Sequence, residues 1–181
     1  MSHDLPSPWR EFLSEVDGQL PEVVVLHCHG GFVAAMHYGL PRPTADLDYL
    51  AIAPGNAQGL IEELAGQASQ LTKKYGVYLQ HVPLTSAPES YEERMTALFQ
   101  GQFKHLHLFA LDPYDLALSK LSRNIAVDRE DVEYLAKTIP LDPQVFRQRY
   151  SDELRPIMIG DLKVHDQTLD MWIEAYFPSR A

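Results

Sequence analysis

Cysteine, basic charge and long apolar runs are all scarce in this sequence, and each scarcity removes a class of protein. One cysteine, Cys28, in 181 residues excludes an intrachain disulfide and suits a reducing compartment. No stretch approaches the roughly 20 consecutive apolar residues that span a bilayer. The opening MSHDLPSPWR has neither a charged start with an apolar core nor an Arg-rich amphipathic presequence. The expected location is therefore the cytoplasm, with no membrane partner. Lys and Arg total 15 against 25 Asp and Glu, a formal charge of −10, which argues against a nucleic-acid-coating role because phosphate binding needs a positive field. Arg147, Arg149 and Arg155, and the pair Lys73-Lys74, read as solvated faces. What remains is ordinary globular composition, 45% hydrophobic and 22% charged, enough for one core with a small helical extension.

Periodicity divides the chain into helices and strands. Trp9, Phe12, Leu13, Val16 and Leu20 follow one helical face, with Ser7 as cap, Pro8 in the first turn and Pro21 as stop. Val23–Leu26 reads as a buried strand ending at Gly30-Gly31, followed by a helix over about 32–38 and a second strand over 46–53. Apolar residues from Leu60 to Leu71 predict a helix over about 57–74, and Val77–Val82 a third strand. Residues 91–98 read as a short helix and 103–111 as a fourth strand. Asp112-Pro113 and Asp142-Pro143 each put a capping acid before a first-turn proline, and Asp128 with Asp131 resembles a capping box. A last helix carries Leu162, His165, Leu169, Trp172, Ile173 and Tyr176 on one face. The expected organisation is an α/β core over 1–111 and a helical part over 112–181.

The segment HGGFVAAMHYGLPRPTADLDYLAI, residues 29–52, carries the chemistry. A glycine pair at a strand-to-helix junction lets backbone pass close to a bound group and aims amides at an anion such as phosphate. Asp46 and Asp48 are two apart in a strand, so both carboxylates share a face. Like charges so placed call for a cation between them. Mg²⁺ fits, since it takes one or two carboxylates and fills its shell with water and substrate phosphate.

In order, Gly30-Gly31, a helix and Arg42-Pro43-Thr44-Ala45-Asp46-Leu47-Asp48 resemble the R-x-T-x-D-h-D signature of the polymerase-β-like minimal nucleotidyltransferases. Asp115-Leu116 through Lys120-Leu121, with Asp128 to Val132, resembles the second conserved region of the branch that holds the AbiE-type abortive-infection toxins. The resemblance implies an α/β (α+β) fold, a mixed sheet with flanking helices and a helical C-terminal part. It implies that Gly30, Gly31, Arg42, Thr44 and Lys120 bind the nucleotide and that Asp46 and Asp48 hold Mg²⁺ or Mn²⁺. Asp131 would complete the acidic cluster or act as base. The implied reaction transfers a nucleoside monophosphate from an NTP to a hydroxyl of tRNA, protein or a small molecule, with an antitoxin-type protein as partner. Where that family supplies a third carboxylate, the third strand here offers Gln80 or His81.

Each residue also has a plainer reading. Gly30-Gly31 reads as a tight turn, Asp46 and Asp48 as solvent-facing strand acids, Arg42 as partner of a surface carboxylate, Lys120 as a surface lysine and Asp131 as a helix cap. His27 with His29 and His105 with His107 alternate along strands, but a zinc site needs further ligands that the sequence does not supply. The competing function is a catalytically inactive nucleotide-binding or protein-interaction module.

Overall fold

In the computed structural model, which describes residues 5–82 and 86–177, the chain divides into two compact units. One is the described part of Met1–Leu84 with Met95–Ala110; the other is that of Thr85–Arg94 with Leu111–Ala181. Among the described residues no helix is long and apolar enough to cross a membrane.

The first unit begins with α1, Trp9–Gln19, whose buried face is Trp9, Phe12, Leu13 and Val16. Pro8 occupies the capping position and no side chain caps the helix, so Ser7 lies one residue too early for that role. β1, Val24–His29, passes directly into α2, Gly30–Met36, and β2 is Asp46–Ala53. The helix expected over 57–74 is two helices, α3, Gln58–Ala65, and α4, Gln70–Tyr75. The break follows from Gly66, where a side chain would run into the Glu62 carbonyl, and from Ser69, whose hydroxyl accepts the Thr72 N–H at 3.0 Å to start α4. β3 is Tyr78–His81.

The helix expected over 91–98 is instead a single tight turn, Tyr91–Arg94, followed by β4, Thr96–Leu98. Three residues hold too little periodicity to announce a strand; pairing with β5, Leu106–Ala110, decides it. The mixed sheet has the order β3-β2-β1-β5-β4. β1 runs antiparallel to β2 and parallel to β5, and β2 runs parallel to β3. Val24, Leu26, Cys28, Leu47, Tyr49, Leu79, Leu106 and Leu108 are all buried, and the alternate residues of β2, Asp46 and Asp48, are half-buried.

The second unit is helical: α5, Pro113–Leu118; α6, Ala126–Thr138; α7, Pro143–Arg149; and α8, Leu162–Tyr176. Asp112 and Asp142 cap α5 and α7 ahead of their prolines as the sequence suggests. Asp128 differs: it lies inside the first turn of α6 and accepts the Ile125 N–H at 3.2 Å. Arg149 is not a solvated residue. Asp115 is fully buried and draws Arg149 at 3.0 Å and Arg94 at 2.9 Å, while Arg94 also meets Glu153 at 2.7 Å. Burial pushes the Asp115 carboxyl above its usual range despite these cations, the expected cost of desolvating a charge.

In the first unit, Asp17 of α1 ties down the start of β5. Its carboxylate accepts the N–H groups of Lys104 at 3.1 Å, His105 at 2.6 Å and Leu106 at 2.7 Å. Burial raises its carboxyl, but the three N–H donors outweigh burial and hold it below the usual range. A carboxyl depressed in the folded state stabilises above its unfolded pKa and loses that contribution as pH falls through the folded value. Asp17→Ala should therefore cost about 1–3 kcal/mol at neutral pH in denaturant titrations. The difference from wild type should shrink as pH falls below about 4.

Candidate functional site

Pairing between β1 and β2 assembles the site of the first unit. The register sets His29 opposite Asp48 and Cys28 opposite Tyr49, with an irregularity between His27 and Cys28. Gly30, the next residue, has φ of 73°, the left-handed conformation that glycine adopts without steric cost. A Cβ at Gly30 would lie 2.6 Å from Oδ2 of Asp48. The turn backbone and that carboxylate are therefore as close as glycine permits. At Gly31 a Cβ would meet Oγ1 of Thr44 at 3.5 Å and Nη2 of Arg42 at 3.8 Å. Gly30, Gly31, Arg42, Thr44 and Asp48 thus lie around one turn.

Asp46 joins through Thr44. The Thr44 hydroxyl lies 2.7 Å from Oδ1 of Asp46 and 3.0 Å from its carbonyl; it donates to the carboxylate and orients it. The loop that carries Thr44 is held in turn by α1, since the Trp9 indole donates to the Thr44 carbonyl at 3.3 Å. The same indole meets the Phe32 ring of α2 edge-on, with centroids 4.7 Å apart. One buried tryptophan therefore braces both the helix after the glycine pair and the loop before the acids.

β3 decides which of its residues share the face of the acids. Its register sets Tyr78 opposite Asp46 and Gln80 opposite Asp48, and cross-strand partners share a face. His81 belongs to the other face, where it stacks on Tyr49 with centroids 5.1 Å apart. Burial first, and the charges of Asp46 and Asp48 second, push the Tyr78 phenol above its usual range. The period of the strand made Tyr78 and Gln80 findable; without the pairing register they could not be chosen over their neighbours.

The donor set suits a hard divalent cation. Two carboxylates on one strand face beside a glycine turn are the oxygen donors such an ion takes, water and phosphate oxygens supplying the rest of its shell. Among the described residues no group of three or more His, Cys, Asp and Glu converges in the way a metal cage requires. A closed zinc site with four protein ligands does not fit.

Lys120 and Asp131 lie in the second unit and meet each other. Nζ of Lys120 is 2.8 Å from Oδ2 of Asp131 and 3.8 Å from Oδ1 of Asp128, and all three side chains are buried. Arg123 adds a further cation on Asp128 at 2.5 Å. Burial raises the Asp128 carboxyl, but Arg123, Lys120 and the Ile125 N–H reverse this and hold it below its usual range. Lys120 is therefore no surface lysine, and Asp131 accepts a charge-assisted bond from it.

Comparison with known families gives one match: the model of the family described as nucleotidyltransferase of unknown function (DUF6036) covers residues 10–176. No curated protein and no solved structure matches the chain.

The two glycines should respond differently to a methyl group. Gly30→Ala should lower stability by about 1–2 kcal/mol through its backbone conformation and displace Asp48, whereas Gly31→Ala, in ordinary contact, should stay within about 0.5 kcal/mol of wild type. Thermal melts of both variants check this. Lys120→Met should cost about 3–5 kcal/mol by removing the buried ammonium that meets Asp131, read in the same melts.

Proposed function

The chain belongs to this family of nucleotidyltransferases, and from that premise we propose that it binds a divalent metal–NTP complex at the glycine turn and transfers the nucleoside monophosphate to a hydroxyl. The observation that carries the reading is the approach of the Gly30 backbone to the Asp48 carboxylate, with Asp46 on the same strand face. Asp46 and Asp48 would hold Mg²⁺ or Mn²⁺. When bound, the ion would neutralise phosphate charge and polarise the phosphoryl group.

The chain's own residues supply the rest. Thr44 fixes the Asp46 carboxylate by its 2.7 Å hydrogen bond, which limits its rotation and pre-organises the site. The Arg42 guanidinium beside Gly31 offers a planar fork suited to phosphate oxygens. Tyr78 and Gln80 bring neutral hydrogen-bonding groups to the same face as the acids. In the transfer, the acceptor hydroxyl loses its proton to solvent as its oxygen bonds to the α-phosphorus, and the bond from the α-phosphorus to the oxygen bridging to the β-phosphate breaks, releasing pyrophosphate. Positioning and charge neutralisation carry most of the catalysis in such a displacement. The resemblance also assigns Lys120 to phosphate and Asp131 to the acidic cluster or the base. Their mutual ion pair supports a holding role between α5 and α6, and the metal–NTP reading stands without them. A tRNA, protein or small-molecule acceptor, and a toxin-like role with an antitoxin partner, are the finer forms of this proposal.

A second reading rests on Gln80. The residue opposite Asp48 is neutral, which supports a module that binds a nucleotide without transferring it.

Mg²⁺ with NTP at about 100 times its Kd should raise the melting temperature by about 5–10 °C. Asp46→Asn and Asp48→Asn should each abolish that shift while the unliganded protein still melts cooperatively. An equal shift in wild type and both variants would place the nucleotide elsewhere.

A further inference from the structure

At the edge of the sheet, where α3 meets β3, lies a cavity of about 410 Å³. Its walls include Gln58 and Glu62 of α3, Gln67 after it, and Tyr78, Gln80 and His81 of β3. Two of these, Tyr78 and Gln80, are the register partners of Asp46 and Asp48, and paired strands lie only about 4.8 Å apart. The cavity thus reaches the strand that pairs with the acids, while its Tyr49 and His81 walls belong to the opposite face of the sheet.

The lining selects its occupant by chemistry. Three side-chain amides, two phenols, an imidazole and one carboxylate surround it, and among the described residues that line it there is no lysine or arginine. Such walls reject a phosphate and accept a neutral molecule with hydrogen bonds along its edges. Planar side chains are already at hand: His81 stacks on Tyr49 and is fixed from the side by the Gln58 amide, 2.9 Å from Nδ1. The charge of Glu62 bears on the buried Tyr49, which burial first and Glu62 second push up to about 12. Glu62 lines the same cavity as the stacked pair. The volume falls in the usual range for small-molecule sites, about 300–1,000 Å³.

We propose that this cavity is a nucleobase site, with Glu62 accepting N–H donors of the base edge and the glutamine amides pairing with its remaining polar atoms. Carboxylates accept from amino groups of bases, and glutamine amides match their donor–acceptor edges. Guanine fits best, because its ring N–H and exocyclic amino group point the same way and one carboxylate accepts both. The inference rests on the nucleotide reading of the acids one strand away and deepens it: the acids bind phosphate through the metal and this cavity takes a base. That base belongs either to the donor NTP or to a nucleoside acceptor.

Calorimetric titration of the full chain without divalent metal, using guanosine, adenosine, cytidine and uridine, tests the site without phosphate. Guanosine should bind most tightly, and Glu62→Gln should weaken it by about tenfold or more through loss of the paired acceptor. Glu62 is exposed on α3, and an unchanged melting temperature will show that the variant is folded. An Asp46→Asn/Asp48→Asn double variant should bind guanosine as wild type does. If no nucleoside binds, or Glu62→Gln leaves guanosine affinity unchanged, the base site is overturned, even where the metal–NTP shift persists. Loss of the metal–NTP shift with guanosine binding intact would count against the reading of the acids alone. Adding Mg²⁺–NTP then identifies the source: displacement of guanosine assigns the cavity to the donor's base, and simultaneous binding assigns it to the acceptor's.

Discussion

The antiparallel pairing of β1 with β2 is the constraint on which the candidate site depends. Because His29 stands opposite Asp48, the residue after the strand must turn away beside a carboxylate, and only glycine leaves space for it. A register shifted by one residue would move Asp46 and Asp48 into the core and Leu47 and Tyr49 out of it. Burial of Leu47 and Tyr49 therefore fixes the position of the acids. Trp9 strengthens the arrangement from α1 by holding the Thr44 carbonyl and the Phe32 ring together.

Charge is handled differently in the two units. In the helical unit the buried acids are met by cations: Asp115 by Arg94 and Arg149, Asp128 and Asp131 by Lys120 and Arg123. Breaking such pairs is costly, although forming them yields little net stability over apolar packing. In the sheet unit, Asp46 is instead oriented by a neutral hydroxyl, and its strand neighbours Tyr78 and Gln80 are uncharged.

Much of the fold was legible because local patterns were long or doubly signalled. β2 alternates acid and apolar residues from Asp46 to Tyr49, α1 shows a full helical face, and α5 and α7 each combine a capping acid with a proline. β4 was not legible, since three residues carry no periodicity of their own and its existence depends on β5. The break between α3 and α4 was hidden because the apolar spacing of Leu60 to Leu71 continues across Gly66. At the site, the sequence pointed to Gly30, Gly31, Asp46 and Asp48 through motif and period. It could not choose between Gln80 and His81, because the face of a strand residue depends on register. Nor could it show that Lys120 is buried against Asp131, or that Arg149 serves a buried aspartate, since both depend on packing between helices.

The central claim, that this chain moves a nucleoside monophosphate, is tested most directly by the fate of labelled phosphorus. Purified protein incubated with Mg²⁺, a cell lysate and NTP labelled at either the α or the γ position should place α label on a macromolecule or small molecule and release γ label as pyrophosphate. Release of γ label as free phosphate, or bound nucleotide recovered intact with no transfer of α label, would contradict it.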